Sequence, residues 1–326
     1  MKLNYGESIR AGFEYLLETY PEVFCIGQGL WSPWYVGNSM TDLEKKFGKK
    51  RVIDSPVSEL ACTGAAVGAS ICGQRPIVIH PRVDFFLLGV DQLVNQAAKW
   101  RHMFGEESSA PVTVRAVVNR GGEQGAQHSQ SLYSWFAHIP GLRVVLPATP
   151  ADARDLLIAS VLSDDPVLYI DDRWLYELED DLPPAKDVNL NDIQPVVRRE
   201  GTDLTIVASS FSSLLALQTA DALAEKGVAA EVIDLRVVNP LKMDVAIASA
   251  RKTGRLLAID GDWTNCGLAG EILASVTEAL EPSAWKATPR RLTLPDAPAP
   301  TSGALEKIYY PTVDQAVALA LTMGVQ

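Results

Sequence analysis

The feature that most restricts the fold of this chain is a repeated alternation of short apolar runs with helical patterns. Runs rich in Val and Ile stand at Val23–Gly27, Val52–Asp54, Pro76–His80, Val112–Val118, Arg143–Leu146 and Val167–Ile170. Helical segments lie between them at Ser58–Cys72, Leu88–Phe104 and Pro150–Ser163. Apolar strands that alternate with helices belong to a mainly parallel sheet covered on both faces. Ahead of the first run, Asn4 and Glu7 have capping-box spacing and open a helix with Ile9, Phe13 and Leu16 on one face.

The alternation breaks around Leu182–Gln194, where prolines, aspartates and asparagines replace any apolar period. Such a stretch reads as a linker. New strands follow at Leu204–Ser209, Ala230–Asp234, Arg255–Asp260 and Arg290–Leu294, with helices at Ser212–Lys226, Met243–Lys252 and Leu268–Leu280 and a last one after Pro311. The sequence therefore predicts an α/β protein of two doubly wound, mainly parallel-sheet domains. These are 1–182 and 200–326, joined by a linker at 183–199. A chain of 326 residues is long enough for two cores.

Composition removes several functions. Hydrophobic residues make up 47% and charged residues 21%, the balance of a soluble globular protein. The net charge of −11 leaves no excess to neutralise phosphates, so nucleic acid is not an expected partner. The apolar runs are too short to span a bilayer and no signal or transit peptide is evident, which predicts a cytoplasmic protein without membrane association. Cys25, Cys62, Cys72 and Cys266 form no CxxC pair and are expected to be buried free thiols. No GxGxxG follows the first strand, and no GxxxxGK[ST] or GxSxG occurs. "DGDWTN" at Asp260–Asn265 lacks the second glycine of a metal-diphosphate motif and reads as a strand end and turn.

Three places can carry chemistry. Glu59 follows a proline-bearing turn and opens a helix of small residues, with Gly64 and Gly68 four apart. A carboxylate there is either a simple favourable charge at the helix N-terminus or a fixed functional group. The small residues allow either tight packing inside one subunit or a close helix contact between subunits. His80 ends a strand, at the edge where parallel sheets form sites. His128 sits in the glycine-rich polar loop "GGEQGAQHSQS", either an active-site element or a solvated surface loop. His102 and His138 read as structural.

The segment "VIDSPVSELACTGAAVGASICGQRPIV" resembles the beta subunits of thiamine-diphosphate-dependent 2-oxo acid dehydrogenases of the pyruvate, branched-chain and acetoin type. "DQLVNQAAKWR", "QHSQS", "WFAHIPGLRVVLPATPADARDLLIASV", "VIDLRVVNPL", "KTGRLLAID" and "LEKIYYPTVDQ" extend the resemblance, in order, through nearly the whole chain. It implies a transketolase-like pyrimidine-binding domain followed by a transketolase C-terminal domain. Glu59 would then hydrogen-bond the aminopyrimidine ring of thiamine diphosphate, Phe85 would lie against that ring, and His128 would face the reacting carbons. The family's alpha subunit holds the diphosphate and Mg2+ through a GDG…N motif that this chain does not have. An α2β2 heterotetramer, inactive without alpha, is the implied assembly.

The sequence departs from the family at several points. The first strand ends in Gly27-Gln28 where a glutamate is usual, which would alter any proton relay to Glu59. "HPRVDFF" places His80, Arg82 and Asp84 before Phe85, resembling a branch associated with sugar biosynthesis. Arg82 would suit an anionic or polyhydroxylated substrate, or else pairs with Asp84 or a partner chain. The family's potassium site would fall at carbonyls near Val112, Ser160 and Asp165, but the usual acid of that loop is Ser163 here, which puts the ion in question. The implied activity is decarboxylation of a pyruvate-like 2-oxo acid with acyl transfer to a lipoyl acyltransferase. The alternatives are a non-oxidative carboligase that adds the two-carbon unit to a keto-sugar or aldehyde, and a non-catalytic scaffold subunit.

Overall fold

The computed structural model describes residues 2–32 and 36–325. The chain forms two compact units: Met1–Asn119 with Trp135–Ile193, and Arg120–Ser134 with Gln194–Gln326. In the first unit parallel strands run side by side in the order Arg143–Val145, Val167–Asp172, Thr113–Val118, Arg75–His80, Val23–Gln28 and Val52–Ser55. Their β-branched residues suit a pleated surface buried on both faces, and Thr113–Val118 is buried at every position.

The first helix, Tyr5–Thr19, starts where the capping box requires. The Asn4 side chain accepts from the Glu7 amide at 2.8 Å, and the Glu7 carboxylate accepts from the Asn4 amide at 2.9 Å. The helix buries Ile9, Phe13 and Leu16 and packs against Pro150–Leu162. The small-residue segment is helical over Glu59–Ile71 and buries only Thr63, Ala66, Val67 and Ser70. Ala61, Ala65, Gly68 and Cys72 form an exposed opposite stripe, and a side chain added at Gly68 would meet no atom within 4 Å. The segment expected to be helical over Leu88–Phe104 is helical from Leu87 to Met103, as a 3-10 turn at Leu87–Gly89, a π-helix at Gln92–Ala97 and an α-helix at Ala98–Met103. Gly89 is pressed so close to Thr63 that an added Cβ would lie 2.7 Å from its hydroxyl, so this segment is moulded onto the Glu59–Ile71 helix.

One fully buried charge braces the first sheet. Arg115 donates from Nε and Nη2 to the two Asp171 oxygens at 2.9 and 3.0 Å, from Nη1 to Ser39 Oγ at 2.8 Å and from Nη2 to the Tyr176 hydroxyl at 2.9 Å. A bidentate carboxylate pair with its remaining donors satisfied is the form in which a buried ion pair is tolerated.

In the second unit the order is Arg290–Leu294, Leu256–Trp263, Leu204–Ala208, Ala230–Asp234 and Val196–Arg199, parallel except for the last, antiparallel strand. The helices Phe211–Ala224 and Val313–Leu321 pack together over its core. The cysteine expectation needs correcting. Only Cys25, inside a strand, is buried; Cys62 is half-buried and Cys72 and Cys266 are exposed. Cys72 caps a helix end and Cys266 sits in a turn at φ 57°, places where small size gives no burial. Among the described residues no helix is long and apolar enough to cross a membrane.

Candidate functional site

The chain leaves Val23–Gln28 for Val52–Ser55 on one side, then returns to Arg75–His80 on the other. The strand order thus reverses at Val23–Gln28, and a crevice opens beyond the carboxyl ends of the two strands it separates. Gly27 and Ile79 are register partners there, and a Cβ at Gly27 would stand 2.4 Å from the Ile79 carbonyl oxygen, so only glycine fits. The cleft is lined by Gln28, Glu59, Cys62, His80 and Phe85 among others. It encloses about 30 Å³, little more than a water and far below the few hundred cubic ångströms of an ordinary ligand pocket.

Local sequence fixes each wall. Asp54 accepts from the Gly29 amide at 2.6 Å and ties down the turn after the first strand. Ser55 and Pro56 end the neighbouring strand, and Glu59 follows as the first residue of its helix, where the helix dipole favours a negative charge. Glu59 is half-buried, so this chain alone does not desolvate it. Phe85 presents a ring that is 39% exposed at the cleft mouth. A carboxylate, an amide and an exposed aromatic face around one crevice can hold the edge of a flat heteroaromatic ring by hydrogen bonds and stacking.

His80 lies at the cleft floor with 3% of its surface exposed. Its Nε2 is 3.3 Å from Thr63 Oγ1 and its ring lies 5.0 Å from that of Phe86. Burial pushes its pKa down to about 4, so the imidazole is neutral near neutral pH. Arg82 precedes the short helix Val83–Phe86, and its guanidinium meets the Asn119 amide at 3.2 Å, with the amide oxygen turned to accept. Asp84 is buried in the same turn.

His128 belongs to the second unit, half-buried in a turn whose amide bonds back to the Gly125 carbonyl at 3.3 Å. His102 and His138 are exposed. Two of the carbonyls named for potassium also accept hydrogen bonds, that of Val112 from Val167 N at 3.0 Å and that of Ser160 from Ser163 N at 3.3 Å. The Asp165 carboxylate is held by Arg143 at 2.8 and 2.9 Å and by Arg101 at 3.4 Å.

Two families cover most of the sequence. The pyrimidine-binding domain of transketolase matches residues 1–177, and the transketolase C-terminal domain matches residues 194–316. The 2-oxoisovalerate dehydrogenase subunit beta of Bacillus subtilis is 34% identical over 317 residues, 97% of this chain and 97% of its own length. The chain belongs to the beta subunits of 2-oxo acid dehydrogenases.

The acetoin:2,6-dichlorophenolindophenol oxidoreductase subunit beta of Cupriavidus necator is 41% identical over 271 residues, 83% of this chain and 79% of the relative. The mitochondrial pyruvate dehydrogenase E1 component subunit beta of Homo sapiens is 31% identical over 329 residues, covering 100% and 92%. A solved structure described as a split gene transketolase, inactive beta4 tetramer, shares the fold at a TM-score of 0.79 and 20% identity, covering 98% of each chain. Membership of this beta-subunit family implies thiamine diphosphate as cofactor and an alpha subunit as partner. The cleft at the strand reversal has a donor and acceptor set that fits the pyrimidine end of that cofactor.

The sequence reading passed over one group of residues in this beta subunit. Tyr133 donates its hydroxyl to Asp260, which also accepts from the Ala269 amide at 2.8 Å and the Asp262 amide at 3.2 Å. Burial, then the neighbouring Asp262 charge, push the Asp260 carboxyl up to about 6. "DGDW" carried the signal, since two acids at the buried end of an apolar strand are rarely without a partner; the partner of Asp260 is 127 positions away and invisible to local patterns.

Proposed function

We propose that this beta subunit acts on a pyruvate-like 2-oxo acid, together with an alpha subunit in an α2β2 assembly, and passes the acyl group to a lipoyl acceptor. The observation that carries this reading is the small, half-open cleft with Glu59 at a helix start. A crevice of about 30 Å³ has one wall of a cofactor site and leaves the rest to another chain. Val57, Leu60 and Leu88 are exposed apolar residues on the segments that frame it, surface of the kind a partner covers.

Bound thiamine diphosphate would supply a nucleophilic ring carbon and a cationic thiazolium ring able to take up the electron pair released with carbon dioxide. Glu59 holds a hydrogen bond at a ring nitrogen of the aminopyrimidine, and a partner chain completes its desolvation, which strengthens the proton exchange. Phe85 gives the ring a flat apolar face and excludes water. Gln28, at the end of its strand, offers an amide in place of the usual acid, so it can orient but not carry a proton. His128 exchanges a proton with the reacting substrate. His80 lines the same cleft as Gln28, Glu59 and Phe85, and it and Arg82 are assigned as substrate contacts, with Arg82 supplying positive charge. The diphosphate and Mg2+ are assigned to the alpha subunit, a location in the cytoplasm to the assembly, and no potassium ion is included.

The test is co-expression with an alpha chain bearing the GDG motif, supplied with thiamine diphosphate, Mg2+ and pyruvate and offered two acceptors. One is a lipoyl domain, the other a panel of keto-sugars and aldehydes. Acyl-lipoyl formation supports the dehydrogenase reading. Carbon–carbon bond formation without it replaces that reading with the carboligase, for which the Arg82–Asn119 pair beside the cleft is the supporting feature. No turnover with either acceptor, and no carbon dioxide release, would leave the scaffold reading.

A further inference from the structure

The second unit has its own point of strand reversal. The chain leaves Leu204–Ala208 for Ala230–Asp234 on one side and returns to Leu256–Trp263 on the other. The carboxyl ends of Leu204–Ala208 and Leu256–Trp263 therefore flank the place where an open α/β sheet takes a ligand. Here that edge is bonded to the segment Arg120–Ser134 of the same chain.

The segment is fixed at both ends to the last residues of one strand, Asp260–Asp262 of Leu256–Trp263. At its start the buried Arg120 donates from Nη1 to the Gly261 carbonyl at 3.0 Å and lays its guanidinium 5.7 Å from the Phe211 ring. Near its end Ser131 Oγ donates to the same carbonyl at 2.8 Å. Tyr133 then donates to Asp260, and Ser134 Oγ accepts from the Leu268 amide at 3.0 Å. A further clamp holds Glu123, whose amide donates to the Glu306 carboxylate at 3.0 Å and whose carboxylate accepts from the Gly303 amide at 2.7 Å.

Between the anchors run Gly121, Gly122 and Gly125, all with positive φ, and then His128. Three such glycines give a segment little intrinsic order, so its path is set by what holds its ends. Gly261 shows how closely the edge is filled: an added Cβ would lie 2.7 Å from Arg120 Nη1.

We propose that the second unit is the mounting of the His128 segment, and that Tyr133 and Arg120 are positioning residues that act on the reaction only through His128. This rests on the proton role given to His128 above. The sheet edge that would otherwise bind a ligand binds this part of the chain instead, and rigid anchoring of a short catalytic segment is what keeps its side chain in reacting geometry.

A mutant cycle in the assembled enzyme tests it. Tyr133→Phe should lower kcat about tenfold or more, with KM for the 2-oxo acid and the affinity for thiamine diphosphate nearly unchanged. In a His128→Ala background the same substitution should have no further effect, because the group it positions is gone. Amide hydrogen exchange supplies a readout independent of turnover: Gly121–Gln130 should exchange faster in Tyr133→Phe and Arg120→Lys, while the helix Leu268–Glu278 keeps its protection. Independent, multiplying losses in the cycle would overturn the positioning role. Unchanged exchange in both variants would overturn the mounting. Faster exchange with a His128→Ala enzyme of full activity would overturn the role of His128 and the route through it, and leave the mounting standing.

Discussion

The two sheets of this chain share one device and put it to opposite uses. Each reverses its strand order next to its first parallel strand, and each therefore has a crevice beyond its strand ends. In the first unit the crevice is open and shallow, with Glu59, Gln28 and Phe85 at its rim and a neutral His80 on its floor. In the second it is taken up by Arg120, Ser131 and Tyr133, bonded to Gly261 and Asp260. The topology creates a binding edge in both; the side chains beside it decide whether that edge receives a ligand or a piece of its own chain. The open edge presents Glu59 and Phe85 at its mouth, and the filled edge turns Arg120 Nη1, Ser131 Oγ and the Tyr133 hydroxyl onto its own strand end.

The comparison can be broken most directly at the open edge. Glu59→Gln should lower turnover of the assembled enzyme about 10²- to 10⁴-fold while the melting temperature of the subunit stays the same. Full turnover would mean that the open crevice is not where the chemistry is prepared. Next in size is the brace of the first sheet. Arg115→Met strands the buried Asp171 carboxylate and should cost about 3–5 kcal/mol, read by urea denaturation at pH 7; a loss under 1 kcal/mol would show that Tyr176 alone satisfies that charge.

The floor of the open cleft predicts a pH effect. The unfolded chain protonates His80 near its ordinary pKa of 6.5, the folded one only near 4. Between these values the unfolded state binds more protons, so this residue makes stability fall as pH drops from about 6.5 to 4, by on the order of 3 kcal/mol. His80→Gln should flatten that part of the stability–pH curve, and an unchanged slope would show that other groups cause it. Smallest is a matched pair of glycines. Gly27→Ala pushes a methyl into the Ile79 backbone, which cannot step aside, and should cost about 1–3 kcal/mol. Gly261→Ala pushes only on the movable end of Arg120, so its loss of stability should be the lesser of the two. Equal losses would mean that the filled edge is as rigid as the open one.

Much of this was legible in the sequence because it rests on local periodicity. The strands, the capping box at Asn4 and Glu7, and the start of the helix at Glu59 follow from apolar spacing and cap chemistry within a few residues. The π-helix at Gln92–Ala97 was not, since an apolar period does not separate one kind of helical turn from another when tertiary packing sets the pitch. The cysteine burial failed for the same reason: a small residue at a helix end or turn is placed by its surroundings.

Fold class, family and the residue types at the open edge are legible in short-range patterns and ordered motifs. That Arg120–Ser134 belongs to the second unit and that Tyr133 meets Asp260 emerges from the folded chain alone. Their separation along the chain carries no signal, and a buried carboxylate chooses among distant donors by which one reaches it and replaces the water it has lost.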